Sequence, residues 1–338
     1  MKNKIKLIAE TAWHHDGNFP FMKKLVSDIL NLGRADVLKM HLLLNFDEYA
    51  NSSYRNYNSG IKKLFPVRQW TDLIGMIQTN KKELMLLLND KNAIEFGSKF
   101  SPEYVEIHSV CLNDIYLLDA LRANVNKKTG IVLGIGGSTL YEIEYALERL
   151  GHERIIMMFG FQNYPTSYKD VNFRKMQRIM NLFPEFSFGY ADHSAWDESD
   201  NVLITLMGAA LGMDYVEKHV TNVYGEERTD MDSAISISIF NEIADKLILL
   251  NICRGDGFIK LNSGEKKYSK FGPMKKAAIL KRSVRKGEKL SLDKIKFQRT
   301  GEITDLSQLD VINGCGCEIL ESLPKGSLLY SKHLKRGK

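Results

Sequence analysis

Phe188-Gly-Tyr-Ala-Asp192-His193-Ser194 and Tyr215-Val-Glu217-Lys218-His219-Val-Thr221 each read as a short strand that runs out into polar residues. Each places one histidine at or near the strand's carboxyl end, beside a carboxylate, Asp192 in the first and Glu217 in the second. Two imidazoles presented from consecutive parallel strands make a candidate site for a divalent cation. The competing reading is a pair of structural histidines, each held by a hydrogen bond to its own surroundings.

Upstream, the same strand-then-helix rhythm repeats. Lys4–Glu10 is an apolar run that ends in a carboxylate and leads into Trp13-His14-His15-Asp16-Gly17. Asp36–His41 is a second strand and carries Lys39 near its end. Residues 43–64, polar and aromatic, read as a long loop of the lid or binding kind. Glu83–Leu88, Tyr104–Ser109, Gly130–Gly137 and Arg154–Phe159 follow as strands three to six. Segments of helical spacing lie between them, and Ser138-Thr139 is a cap before Leu140–Leu150.

Eight such units in the first ~250 residues have the length and rhythm of a (β/α)8 barrel. An open doubly wound sheet would alternate in the same way, but it would carry Gly-x-Gly-x-x-Gly near the first strand, which is absent here. In a barrel all the strand carboxyl ends meet at one face. Glu10, Lys39, Ser109, Asn163, His193 and His219 each fall at or just beyond such an end. Acid, base, cation and metal-ligand chemistries would thus converge on one pocket, the pattern of an enzyme.

The domain reading is a barrel over 1–255, a linker over 256–275 rich in Gly, Asn and Ser, and a compact, mostly β module over 276–338 with glycine turns. The chain has 338 residues, 44% hydrophobic and 26% charged, enough for a large core plus a small one. Its net charge of +6 is uneven: 19 basic and 8 acidic residues from Gly257 onward give that part +11, against −5 before it. The lysines are scattered and no aromatic-rich motif accompanies them, so nucleic acid is not an expected partner. No apolar run approaches the ~20 residues of a membrane span, and the start does not read as a signal peptide. Cys111, Cys253, Cys315 and Cys317 lack metal spacing and read as reduced thiols of a cytoplasmic protein.

Several of these stretches together resemble the sialic acid synthases, the family of N-acetylneuraminate, legionaminate and pseudaminate synthases. Ile8-Ala-Glu10 with His15-x-Gly17 is similar to the family opening, Asn-His-Asn-Gly, with His14 and Asp16 in place of the two asparagines. Val37-Leu-Lys39-Met-His41, Asn163-Tyr164-Pro165-Thr166, Gly189-Tyr-Ala-Asp192-His193 and Glu217-Lys218-His219 match further motifs in order. Asp230 fits an aspartate downstream, and Lys286-Gly-Glu288 with Arg299-x-Gly301 resembles the small module.

The resemblance implies a (β/α)8 TIM barrel followed by an antifreeze-like (SAF) domain. It implies condensation of phosphoenolpyruvate with the open-chain aldehyde of an N-acyl amino hexose, to give a nine-carbon 2-keto acid and phosphate. It implies Mn2+ or Mg2+ on His193 and His219, and catalytic roles for Glu10 and Lys39. Substrate contacts would come from Ser109, Asn163, Tyr164, Asp192, Glu217, Asp230 and Arg299. The last would reach the site from the partner subunit of a domain-swapped homodimer.

Two departures fall on the donor half. Where the family's fourth strand reads Lys-Ile-Ala-Ser, this chain reads Glu106-Ile-His108-Ser109, so a phosphate-binding lysine has become an acid. Where the fifth usually ends Ser-Thr-Gly, Gly134-Ile135-Gly136 keeps only the glycine. Gln162 and Asn163 are further candidate donors to a phosphate. His41 and His108 are extra imidazoles nearby that read as neutral structural residues; the other reading is that a protonated His108 pairs with Glu106, since strand alternation puts them on one face. The alternatives are a related metal-dependent barrel enzyme with another donor or acceptor, and a degenerate homologue that serves as a binding or scaffold protein.

Overall fold

A computed structural model describes residues 4–160 and 163–335 of the chain. Eight strands, β1 (Lys6–Glu10), β2 (Val37–Leu42), β3 (Glu83–Leu88), β4 (Tyr104–Ile107), β5 (Gly130–Gly134), β6 (Ile155–Gly160), β7 (Ser187–Ala191) and β8 (Tyr215–Thr221), pair in chain order. Every pairing among them is parallel, and β1 also pairs with β8, so the sheet closes on itself as a barrel. The strands are buried on both faces and therefore read as near-continuous apolar runs, as in Leu84–Leu88.

An outer helix follows each strand: α1 (Phe19–Leu32), α2 (Val67–Thr79), α3 (Lys91–Ser98), α4 (Ile115–Asn124), α5 (Leu140–Leu150), α6 (Phe173–Leu182), α7 (Asn201–Ala210) and α8 (Ile237–Arg254). Their starts are fixed by side chains that accept orphan backbone N–H groups, as Asn18, Asp90, Asp114 and Asn172 do. Thr139 and Glu142 form a full capping box on α5. The helices bury one stripe each against the outside of the sheet, and most of the core lies in that shell.

The barrel interior holds a second, smaller apolar layer made by Ile8, Val37, Met85, Tyr104, Val132, Ile156, Met158 and Ala191. Side chains alternate along a strand with period two. Two residues beyond four members of that layer come Glu10, Lys39, Glu106 and Gly134, and Glu217 follows Tyr215 of β8 in the same way. The apolar plug is thus capped by a layer of charge, and this sets up the site.

Residues 43–64 differ from a plain loop. They hold two short helices, Phe46–Tyr49 and Tyr57–Ile61, with Phe46 buried against the close approach at Gly60. The apolar and aromatic residues scattered among Asn and Ser carry too little periodicity to announce helices of four and five residues.

The chain divides after Asp256 into two compact units. The second, from Gly257, has its own core of Ala278, Leu280, Val284, Leu290, Ile295, Ile319, Leu329 and neighbours. Ala277–Leu280 pairs antiparallel with Ile295–Gln298, and isolated bridges such as Val284 with Leu323 extend the β character. The stretch expected to be linker contains a helix, Ser263–Tyr268, started by a capping box between Asn262 and Glu265. Among the described residues no helix is long and apolar enough to cross a membrane.

Candidate active site at the barrel mouth

A cavity of about 340 Å³ opens at the carboxyl ends of the strands. Of the residues singled out from sequence, Glu10, Lys39, Ser109, Tyr164, His193, Glu217, His219 and Asp230 line it. They come from strands and loops distributed over more than 200 residues of chain, and closure of the barrel is what assembles them.

Lys39 sits at the centre of the floor. Its Nζ lies 2.7 Å from Glu106 Oε2, 2.9 Å from Glu217 Oε1 and 3.1 Å from Glu10 Oε2, and all four side chains are buried. Burial alone would depress the Lys39 ammonium, but the three carboxylates outweigh it and raise its pKa well above the usual lysine value. Burial would likewise raise Glu10, yet Lys39 with His219 and His41 holds its carboxyl well below the ordinary range. Glu217 and Glu106 go the other way. Burial pushes Glu217 well up and Glu106 up, and Lys39 offsets this only in part. One ammonium cannot satisfy three buried carboxylates, so Glu10 keeps the charge and the other two hold protons more tightly.

This arrangement favours the neutral reading of His108. Glu106 pairs with Lys39 rather than with a protonated His108. Burial first, then the neighbouring His41 and Lys39, push His108 down to about 3, so its ring is neutral near pH 7. Its Nδ1 accepts from the Val110 amide and begins the single 3-10 turn Ser109–Cys111.

The two histidines of the opening motifs meet as expected. Their ring centroids are 4.8 Å apart and nearly perpendicular. His193 Nδ1 donates to the Ala191 carbonyl at 3.0 Å, which leaves the lone pair on Nε2, the form a metal requires. Burial, then His219, pushes His193 down to about 3, so it is uncharged at neutral pH. His219 Nδ1 lies 3.2 Å from Ser233 Oγ and its Nε2 3.5 Å from Glu10 Oε1. Two imidazoles this close offer two nitrogens to one ligand or ion. Among the described residues no group of three or more His, Cys, Asp or Glu side chains is arranged to hold one.

Other expected residues stand elsewhere. Asp192 does not line the cavity. Its oxygens accept from the Ser194 amide (2.9 Å), Thr205 Oγ1 (2.6 Å) and Lys218 Nζ (3.2 Å), in a pair with no solvent exposure. It serves the packing of β7 on β8 and α7 rather than a substrate. Asn163 is exposed, accepts from the Tyr164 amide at 2.9 Å and is not among the lining residues. Gln162 lies outside the described residues. Arg299 belongs to the second unit, where its Nε donates to the Pro273 carbonyl at 2.7 Å.

Of the aromatic walls, the sequence motifs assign Tyr164 alone. Trp13, Phe46, Tyr49, Tyr54 and Tyr164 line the cavity, three of them from the 43–64 segment. Asp230, in a left-handed backbone conformation, accepts from the Trp13 amide at 3.1 Å and ties the loop after β8 to the loop after β1. The polar and aromatic make-up of residues 43–64 was the available signal for these walls.

A sequence model of the NeuB family matches residues 45–258. Over 90% of its length the chain is 25% identical to an uncharacterized protein of Methanocaldococcus jannaschii, of which it covers 88%. It is 21% identical to the N,N'-diacetyllegionaminic acid synthase of Legionella pneumophila, with 97% of this chain and 94% of that protein aligned. The crystal structure of N-acetylneuraminic acid (sialic acid) synthetase from Leptospira borgpetersenii serovar Hardjo-bovis in complex with citrate has the same fold, with a TM-score of 0.71 at 20% identity over 79% of this chain and 90% of that one. On the length of the family match and the order of the motifs along the barrel, the chain belongs to the NeuB family.

Proposed function

We propose that this chain is a sugar-acid synthase that forms a carbon–carbon bond at the aldehyde carbon of an open-chain N-acyl amino hexose, such as N-acetylmannosamine. The observation that carries the reading is the convergence of Glu10, His193, His219, Tyr164 and Asp230 on one cavity at the barrel mouth. With phosphoenolpyruvate as donor, its C3 joins the aldehyde carbon, water adds to C2, and loss of phosphate leaves a 2-keto acid.

His193 and His219 would hold a divalent ion, Mn2+ or Mg2+. Such an ion would supply Lewis acidity toward the aldehyde oxygen. Glu10, ionised and 3.5 Å from His219, orients a substrate hydroxyl or accepts a proton from it. Tyr164 and Asp230 offer a phenol and a carboxylate to the sugar hydroxyls, and the aromatic walls exclude water from the reacting carbon. The second unit, of antifreeze-like kind in this reading, brings Arg299 of a second copy over the mouth in a homodimer.

A second reading keeps the acceptor half and changes the donor. The contact between Lys39 and Glu106 favours it, because the cation expected to meet a phosphate already has three carboxylate partners. Incubation with Mn2+, phosphoenolpyruvate or pyruvate, and a panel of N-acyl amino sugars tests both, with phosphate release and product mass as readouts. A product with the summed mass of pyruvate and the acceptor upholds the synthase function, and phosphate release with it selects the first donor. No product from any pair sinks the proposal.

A further inference from the structure

Three features of the barrel floor share one consequence. The first is the charge balance. Among the described lining residues the only lysines or arginines are Lys39 and Lys63, against Glu10, Glu106, Glu217 and Asp230. Lys39 is shared among three buried carboxylates, and Lys63 lies 3.3 Å from Asp16 and donates to Thr229 Oγ1. A phosphate dianion entering the floor would meet acceptors, and it would have to displace Glu106 from Lys39 into a buried site with no other described lysine or arginine beside it.

The second feature is steric. A Cβ at Gly134 would stand 2.6 Å from the Ser109 amide nitrogen and 3.3 Å from the carbonyl carbon of His108. The end of β4 therefore closes onto β5, over the position from which a side-chain hydroxyl would point into the floor. The third feature is a carboxyl pair. Glu217 and Glu10 share a hydrogen bond beside Lys39, and a phosphate placed there would add further negative charge to them.

We propose that Glu106, with Gly134, is the specificity-determining element of this site: it excludes a phosphoryl group from the barrel floor and makes the floor accept an uncharged hydroxyl-bearing group instead. This rests on the barrel mouth being the substrate site, as proposed above, and it selects the second donor reading. Glu106 acts by occupying Lys39, the ammonium a phosphate would need. The hydroxyls of a polyol donate to carboxylates without bringing a second anion among them.

Titration calorimetry of the full chain, with and without Mn2+, tests this with three probes: inorganic phosphate, phosphoenolpyruvate and N-acetylmannosamine. The wild type is expected to bind the sugar and to give no saturable heat with either phosphate compound at millimolar concentrations. Glu106→Gln should admit phosphate weakly, and Glu106→Lys should bind it at least about tenfold more tightly than Glu106→Gln, by added charge-assisted hydrogen bonds. The wild-type measurement decides even if a variant fails to fold. Micromolar binding of phosphoenolpyruvate by the wild type would overturn the assignment, as would failure of the wild type to bind the sugar. Turnover of phosphoenolpyruvate by the wild type would likewise end this inference and leave the synthase function standing. Absence of any carbon–carbon bond product, with sugar still preferred over phosphate, would do the reverse.

Discussion

Lys39 Nζ lies 2.7 Å from Glu106 Oε2, and both side chains are buried in the charged layer that caps the barrel's apolar plug. In such a layer each carboxylate is desolvated, and its ionisation depends on how much of one ammonium it can claim. The pH behaviour of the fold should therefore report on this floor.

Glu106 gives the first prediction. Its pKa is raised by burial, against the opposing pull of Lys39. Below the ordinary glutamate value both folded and unfolded states are protonated there and nothing is lost. As pH climbs from that value through the raised one, the folded state binds the proton more tightly, so the unfolding free energy falls. Glu106→Gln removes this loss. Urea unfolding of both proteins across this pH range should show the variant gaining on the wild type as pH rises, then holding a constant lead. A lead that shrinks with rising pH would mean that Glu106 is stabilised as a carboxylate.

The second prediction concerns Asp192 and Lys218, a pair 3.2 Å apart with no exposure. Lys218→Met strands a buried carboxylate and should cost about 3–5 kcal/mol of stability in urea unfolding at neutral pH. The double change Lys218→Met with Asp192→Asn removes the stranded charge and should recover much of that loss. If the single change is neutral, Asp192 is not held by this pair.

The barrel was legible in sequence because its signal is cumulative. Apolar runs such as Leu84–Leu88, helix caps such as Thr139 and polar strand ends such as His219 each add to one rhythm. The inner half of the site was legible for the same reason, since strand alternation fixes which side chains face the axis. Three things were not legible. Asp192 has the sequence context of a ligand-facing acid, and only the packing of β7 against β8 and α7 shows that Lys218 and Thr205 take it. Lys39 reads as a cation on offer to an anion, but its three partners come from three other strands. The aromatic walls from Phe46, Tyr49 and Tyr54 depend on how an aperiodic segment folds back over the mouth.

The histidines give a third prediction. His193 has its Nδ1 committed to the Ala191 carbonyl, and its ring centroid lies 4.8 Å from that of His219. His193→Ala and His219→Ala should each weaken Mn2+ binding, read by calorimetry or electron paramagnetic resonance, by about tenfold or more. His108→Ala changes an imidazole of the same cavity outside the pair and should leave Mn2+ affinity close to the wild-type value. Equal losses in all three variants would point to a general disturbance of the cavity and against a two-histidine site.

The last prediction separates sterics from charge on the floor. If loss of a hydroxyl at position 134 were the main change, Gly134→Ser would restore phosphate binding by itself. The backbone argues otherwise, because the new Cβ would meet the Ser109 amide nitrogen at 2.6 Å, and a backbone atom cannot swing aside like a flexible side chain. The end of β4 would have to move outward, at a cost of about 1–3 kcal/mol by analogy with overpacked cores. Gly134→Ser should therefore lower the urea midpoint and leave phosphate unbound, while Glu106→Lys binds phosphate with Gly134 intact. The combination should bind phosphate no better than Glu106→Lys alone, because the serine distorts the loop that carries Ser109. Phosphate binding by Gly134→Ser with no loss of stability would show that β4 yields easily, and would shift the weight of donor selection from Glu106 to the glycine.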